Sequence, residues 1–117
     1  MNLYATVSAC PRDDEDLSYV YCFDEKLRYC FSLSRSSDDD DKIEVMVSDQ
    51  INRMVDDLSV ELNDTKMIVN LENDVASKLD GHTHYSIDLK ISGDQKRVLH
   101  DSLRKIFEGK NGLRINS

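Results

Sequence analysis

The chain has 117 residues, of which 39% are hydrophobic and 32% charged, and its formal net charge is −8. This composition is typical of a single globular domain over residues 1–117, and it excludes a disordered or fibrous protein and a chain with a membrane-spanning segment. The first ten residues lack the positive and apolar regions of a secretory signal, and the three cysteines show no CxxC spacing. We therefore expect a cytoplasmic protein with reduced thiols.

The charge is unevenly distributed along the chain. Residues 1–80 carry 19 acidic and 8 basic side chains, whereas residues 81–117 carry 4 acidic and 7 basic ones. An acidic surface repels nucleic-acid phosphates and attracts a basic protein. Taken alone, the charge is better explained by solubility than by a partner, so it indicates the kind of partner only together with other features.

Alternation of apolar and polar residues dominates the first third of the chain. Leu3–Ala9 alternates and predicts a half-buried strand, and the acidic run Asp13–Asp16 predicts a loop. Leu17–Phe23 and Leu27–Leu33 both alternate, and Asp24–Lys26 separates them. This pattern predicts a β-hairpin with a three-residue connection.

The middle of the chain is less regular. After a polar loop, Ile43–Val47 predicts another strand, whereas Ser48–Asp57 has no clean period and predicts an irregular segment or a short turn of helix. Leu58–Leu62 and Met67–Leu71 alternate on either side of a polar turn. We expect them to form a second hairpin.

The last third of the chain predicts two helices and two strands. Asn73 is a suitable cap for a short helix through Leu79, and a long alternating strand follows over residues 83–91. Ser92 and Gln95 match a capping box, and Gly109 is placed to end the main helix. The predicted apolar stripe of this helix comprises Val98, Leu99, Leu103, Ile106 and Phe107. Residues 113–115 suggest a short final strand.

Together these elements predict an α+β fold. We expect a mostly antiparallel sheet of about six to eight strands, packed on one main C-terminal helix and one short helix.

Three kinds of chemical site can be compared with the sequence: a zinc site, a calcium loop and a nucleophilic active site. His82 and His84 lie two apart in a predicted strand and would share a face, but a closed zinc site needs four ligands. The run Asp38–Asp41 lacks the alternate spacing and the glycine of a calcium loop, so it predicts a solvated charged loop. No nucleophile is placed beside a base, and no GxSxG, Walker or GxGxxG pattern occurs. We expect no cofactor, no metal and no catalytic residue.

The five tyrosines, all in predicted strands, are the more informative residues. Tyrosine is enriched in interface hot spots because it combines a large apolar ring with a polar tip. Most of them are expected to pack in the core or at a sheet edge. Tyr4 stands on the parity opposite to the apolar residues of its strand, so it is the better interface candidate.

Two stretches carry a resemblance to a known family. The sequence IEVMVSDQINRMVDDLSVELNDTKMIVNL, with its acid-Gln pair Asp49–Gln50, is similar to the core of the tenth numbered immunity family of bacterial polymorphic toxin systems. The sequence SIDLKISGDQKRVLHDSLRKIFEG resembles the strand, helix and final turn of that family. The resemblance covers residues 43–117. It implies a non-enzymatic inhibitor of a cognate toxin, such as a nuclease domain delivered by contact-dependent growth inhibition.

Three hypotheses follow for the function. The first is an immunity protein that binds a basic nuclease toxin and blocks its substrate cleft. The second is an acidic adaptor or regulatory protein-binding module, and the third is a small enzyme that uses a histidine. For the first hypothesis the predicted partner-binding residues are Asp38, Asp39, Asp40, Asp41, Asp49, Gln50, Tyr4, Asp13, Asp14 and Glu15.

Overall fold

The computed structural model describes residues 1–36, 42–48 and 51–116. Within these ranges the chain forms nine strands and two helices. They are β1 (Asn2–Cys10), β2 (Leu17–Asp24), β3 (Tyr29–Ser36), β4 (Ile43–Val47), β5 (Ile51–Val55), β6 (Ser59–Asn63), β7 (Lys66–Asn70), α1 (Asn73–Ser77), β8 (His84–Lys90), α2 (Gly93–Ile106) and β9 (Leu113–Asn116).

All the described strands belong to one sheet, in the order β5-β4-β3-β2-β1-β8-β7-β6-β9. Strands β1 to β5 form one antiparallel meander, and β6 to β8 form another. Two parallel pairs complete the sheet, β1 with β8 and β6 with β9. The α+β class is thus confirmed, but the sheet is mixed and has more strands in the described ranges than the six to eight expected.

One face of the sheet, the inner face, carries the core. The register aligns the apolar side chains of neighbouring strands on this face, for example Leu3 with Ile87 and Val20 with Leu33. Helix α2 packs on this face against β1 and β2, with Leu99, Leu103 and Ile106 buried. Each such side chain contributes roughly 1.5–3 kcal/mol when fully buried.

The sheet curls strongly around this core. The rings of Phe31 on β3 and Tyr85 on β8 lie 4.8 Å apart between centroids, although β2 and β1 separate their strands. In a flat sheet three strand spacings amount to about 14 Å. The short connection from Val55 to Ser59 spans about 14 Å at most. It nevertheless joins β5, at one edge of the sheet, to β6, which is next to β9 at the other edge. The two ends of the sheet are therefore brought together.

Helix α2 begins as predicted. The Ser92 side chain accepts from the Gln95 backbone and the Gln95 side chain accepts from the Ser92 backbone, which is the predicted capping box. Four members of the predicted stripe are buried, but Val98 is 39% exposed. Helix α1 is capped differently, because Glu72 precedes it without a side-chain cap bond and Asn73 is its first residue.

Two further predictions were wrong. The segment Ser48–Asp57 was expected to be irregular, but it contains β5, which pairs with β4 over five residues. The first hairpin turns over residues 25–28, because Asp24 pairs with Tyr29 and both belong to strands. Asp24 shapes this turn by accepting a hydrogen bond from the Leu27 backbone at 2.9 Å.

Gly112 is a point of close approach between the start of β9 and the β5–β6 connection. A Cβ atom added there would lie 1.7 Å from the Leu58 carbonyl oxygen. The Asp57 carboxylate also accepts hydrogen bonds from the Asn111 and Gly112 backbones, at 3.0 and 3.2 Å. Any side chain at residue 112 would push β9 away from β6.

We expect Gly112→Ala to lower the free energy of unfolding by about 1–3 kcal/mol, because the backbone must move to relieve the clash. Gly93→Ala is the matched control, since nothing lies within 4 Å of a Cβ at the first residue of α2. Alanine is also the better helix former there. Urea unfolding followed by circular dichroism measures both variants, and equal midpoints would contradict the assigned contact.

Candidate protein-binding face

The opposite face of the sheet, the outer face, carries a row of aromatic side chains. Along β2 the buried residues are Ser18, Val20, Cys22 and Asp24. The alternate residues Tyr19, Tyr21 and Phe23, here called the aromatic ridge, therefore point to the outer face. Tyr21 is 37% exposed and the other two are half-buried.

Small side chains flank the aromatic ridge on both sides. On β3 its direct cross-strand neighbours are Ser34, Ser32 and Cys30, and on β1 they are Cys10, Ser8 and Thr6. Aromatic rings that stand between rows of small residues protrude from the surface. The ridge thus places three aromatic rings on one sheet face, with Tyr21 exposed, and exposed apolar side chains that cluster on a surface are typical of interaction sites.

The apolar surface continues onto β4 and β5. Met46 stands beside Ser32 on β4, and Met54 on β5 is 39% exposed. Methionine side chains adapt readily to irregular partner surfaces.

Neither α1 nor α2 covers the outer face, because their buried side chains, such as Ala76 and Leu99, belong to the inner-face core. No other described element lies over it.

Tyr4 lies on the same face, and it points away from the buried residues of its own strand, as its parity predicted. Its ring is 59% exposed, and the Lys90 ammonium stands 4.4 Å from its centroid. Its backbone donates to the Asp24 carboxylate at 2.9 Å. This bond, followed by the one from Leu27, lowers the pKa of Asp24. The structure therefore holds Tyr4 in place while its ring remains accessible.

The predicted acidic loop lies at the far end of β1. Asp13 is structural, because its carboxylate accepts from the Glu15 and Leu17 backbones at 2.8 and 2.9 Å. Asp14 and Glu15 are exposed. Six residues of strand, roughly 20 Å, separate Tyr4 from the end of β1. The loop is therefore near the Tyr19 end of the aromatic ridge and not beside Tyr4.

Asp38, Asp39, Asp40, Asp41, Asp49 and Gln50 lie outside the described residues. Ser36, the last described residue before the aspartate run, pairs with Leu17 at the start of β2.

The inner face contains a polar cluster that stabilises the fold. Tyr29 and Tyr85 both donate to the Asp80 carboxylate, and their hydroxyl oxygens are 2.8 Å apart. Burial is the largest cause that raises the pKa of both phenols. Both therefore stay neutral at physiological pH and tie the segment after α1 to the sheet.

His82 and His84 were predicted to lie in one strand, but only His84 belongs to β8. His82 precedes β8, and its ring lies 6.0 Å from that of Tyr85 between centroids, at an interplanar angle of 66°. The His84 ring lies 2.7 Å from the Asn70 side-chain oxygen, measured from Nδ1. Within residues 1–36, 42–48 and 51–116, no three His, Cys, Asp or Glu side chains are grouped as metal ligands.

None of the three cysteines, all within the described residues, forms a disulfide. Cys22 is fully buried on the inner face, and burial raises its pKa to about 12, so it remains a thiol. Cys10 and Cys30 stand on the outer face of β1 and β3, with β2 between them. Two strand spacings, about 9.6 Å, exceed the separation that a disulfide spans.

The chain matches no protein-family model, no curated protein and no solved structure. Neither helix in the described part of the chain has the length and apolar character needed to cross a membrane.

Proposed function

We propose that this protein is a cytoplasmic immunity protein that binds a cognate toxin, a basic nuclease domain, and blocks its active site or substrate cleft. The observation that carries the proposal is the aromatic ridge, with Tyr21 exposed and Tyr19 and Phe23 half-buried, on a sheet face that no described element covers. Tyrosine side chains at the centre of a contact surface are the usual anchors of tight protein complexes.

The charge of the chain supports a basic partner. With a net charge of −8, this protein attracts a cationic surface and repels nucleic acid. Tyrosine rings also bind cations directly, as the Tyr4 ring binds the Lys90 ammonium within this chain. A row of accessible aromatic rings on an acidic protein is therefore suited to the Lys- and Arg-rich cleft with which a nuclease holds phosphates.

The test uses the protein encoded by the reading frame directly upstream of this gene. Its C-terminal domain is expressed in a sensitive bacterium with and without this chain, and complex formation is measured with the purified proteins. We expect growth arrest that this chain relieves, together with a 1:1 complex. If the upstream protein is harmless and does not bind, the immunity function is refuted and an adaptor for another partner takes its place.

Asp38–Asp41 are proposed to act on the rate of encounter and not as buried anchors. Consecutive carboxylates are costly to desolvate, whereas their charge attracts a basic partner over about a Debye length, ~10 Å at 0.1 M salt. We expect replacement of all four by asparagine to slow association a few-fold and to leave dissociation nearly unchanged. Biosensor kinetics at several salt concentrations measure both rates.

Raising the salt should reproduce the effect of these four substitutions in the unmodified protein. An association rate that responds to neither change would contradict electrostatic attraction. A loss of several kcal/mol in affinity would instead make the run a buried hot spot.

A further inference from the structure

Strand β5 presents an open edge. Among the described residues it pairs only with β4, and no described backbone group outside the sheet ladder bonds to it. Alternate residues of an edge strand point their N–H and C=O groups away from the sheet. Four of its five residues are exposed, among them Ile51 at 38%. Such an edge is a ready template for a further strand.

A groove opens at the Val55 end of this strand because the sheet curls. Met54 and Val55 of β5 line one wall, Glu72 and Val75 at α1 line the other, and the apolar side chains of Leu58 and Leu71 lie between them. The groove has a volume of about 620 Å³, within the range of protein sites that enclose a ligand. A narrower cleft of about 230 Å³ continues it between Arg53 and Lys78.

The carboxylates of the groove differ in what they bind. The Asp56 carboxylate forms an ion pair with the Lys42 ammonium at 2.8 Å. The Asp57 carboxylate accepts hydrogen bonds from the backbone N–H groups of Asn111 and Gly112. Glu72 and Asp74 are exposed at the start of α1 and form no ion pair within the part of the chain that the structure describes. The wall that faces β5 therefore offers two carboxylates to a cation on an incoming strand.

A second copy of this chain is a poor occupant. Antiparallel pairing of β5 with itself in full register would place Arg53 opposite the same arginine of the other copy, and like charges directly opposite are destabilising. Two chains that each carry a net charge of −8 also repel each other. An extended segment from a basic protein meets neither obstacle.

We propose that β5 is a docking edge, at which an extended segment of the toxin that contains Lys or Arg pairs with Ile51–Val55 and lies in the groove against α1. This inference rests on the proposed function for the identity of the partner. The docking edge gives the toxin a second contact, next to Met54, where the outer face ends at β5. One partner can therefore contact both the aromatic ridge and the groove.

The first test is amide hydrogen exchange of this protein, free and in complex with the upstream toxin domain. We expect alternate residues of β5 to exchange at least about tenfold more slowly in the complex, because new backbone hydrogen bonds must open before exchange. A complex in which the exchange rates of Ile51–Val55 are unchanged overturns the docking edge and leaves the immunity function standing.

The second test compares two proline variants. Of the neighbouring residues Asn52 and Arg53, one N–H points to β4 and the other points outward. One of the variants Asn52→Pro and Arg53→Pro therefore loses a backbone hydrogen bond to β4, and the other loses only an outward N–H of the open edge. Thermal unfolding shows which variant keeps its stability, and this one is here called the tolerated variant. We expect the tolerated variant to lose at least about tenfold in toxin affinity, and unchanged affinity overturns the proposal.

The third test addresses the carboxylates on α1. Glu72→Gln and Asp74→Asn are each expected to weaken toxin binding by up to about fivefold, as is usual for exposed ion pairs. Asp101→Asn, an exposed carboxylate on α2, is the matched control and should leave the affinity unchanged. Equal effects of all three substitutions would refute a specific role of the groove.

A fourth test separates this inference from the proposed function if the upstream protein does not bind. A library of random ten-residue peptides displayed on phage is selected on the unmodified protein. Enriched peptides that contain Lys or Arg and lose binding to the tolerated proline variant support the docking edge. Binders that ignore this substitution, or a β5-dependent homodimer in sedimentation, overturn it.

Discussion

Replacing Tyr21 by alanine is expected to weaken binding of the toxin by about 2–4 kcal/mol, the cost of removing an aromatic hot spot. Tyr21 stands at the middle of the aromatic ridge, and its cross-strand neighbours Ser8 and Ser32 are small. Its ring is therefore accessible to a partner on this face. Tyr19→Ala is expected to act in the same direction. Biosensor or calorimetric titration with the upstream toxin domain measures the loss.

The stability of the protein should change much less. Tyr21 is 37% exposed and contributes mainly cross-strand packing, so its removal costs up to about 1 kcal/mol. Val98→Ala is the matched control, because Val98 is equally exposed but lies on α2, on the other side of the sheet. If Tyr21→Ala and Val98→Ala bind the toxin equally well, the outer face is not the contact surface.

Tyr85→Ala is expected to be the most destabilising single substitution in the sheet, with a loss of about 3–5 kcal/mol, the range for removal of a large buried aromatic side chain. Tyr85 is fully buried, and its ring lies 4.8 Å from that of Phe31 and 6.2 Å from that of Tyr29. These contacts close the curled sheet across its inner face. Their removal leaves a cavity between strands that are not neighbours.

Tyr85→Phe separates the ring from the hydroxyl. The phenylalanine keeps the packing but removes the hydrogen bond from Tyr85 to Asp80 and leaves the one from Tyr29, so we expect a loss of about 1–3 kcal/mol. Denaturant unfolding of both variants at neutral pH gives the two values. Similar losses for Tyr85→Ala and Tyr85→Phe would show that the hydroxyl network, and not ring packing, holds the sheet closed.

Local patterns predicted the elements whose interactions are local in sequence. The strands around Ile43 and Ile87 and both hairpins appear in the structure because one side of each strand is buried, which imposes a period of two. The capping box of α2 was visible for the same reason, since Ser92 and Gln95 bond to each other's backbone.

The failures concern interactions that a local pattern does not contain. Strand β5 was missed because it is an edge strand exposed on both faces, so nothing imposes alternation on Ile51–Met54. The parallel partners of β1 and β9 are distant in sequence. The curl depends on a short connection between opposite ends of the sheet, and no single segment reveals it.

The candidate site was predicted in part. The exposure of Tyr4 is confirmed, but Tyr19 and Tyr21 were expected to pack in the core or at an edge. Both sets of alternate residues on β2 contain apolar side chains, so its pattern alone does not decide which set is buried. The pairing with β3 decides it, because Phe31 and Leu33 align with Cys22 and Val20.

The parallel pair of β1 and β8 has a consequence for the time at which this protein becomes functional. Each meander is built from contacts between consecutive strands, and the two meanders pair through β1 and β8, where Leu3 aligns with Ile87. During synthesis, one side of β1 therefore stays without its β8 partner until His84–Lys90 have left the ribosome. Contacts of such sequence separation slow folding. The ring contact between Phe31 and Tyr85 belongs to the same step, so the finished surface exists only after β8 has paired with β1.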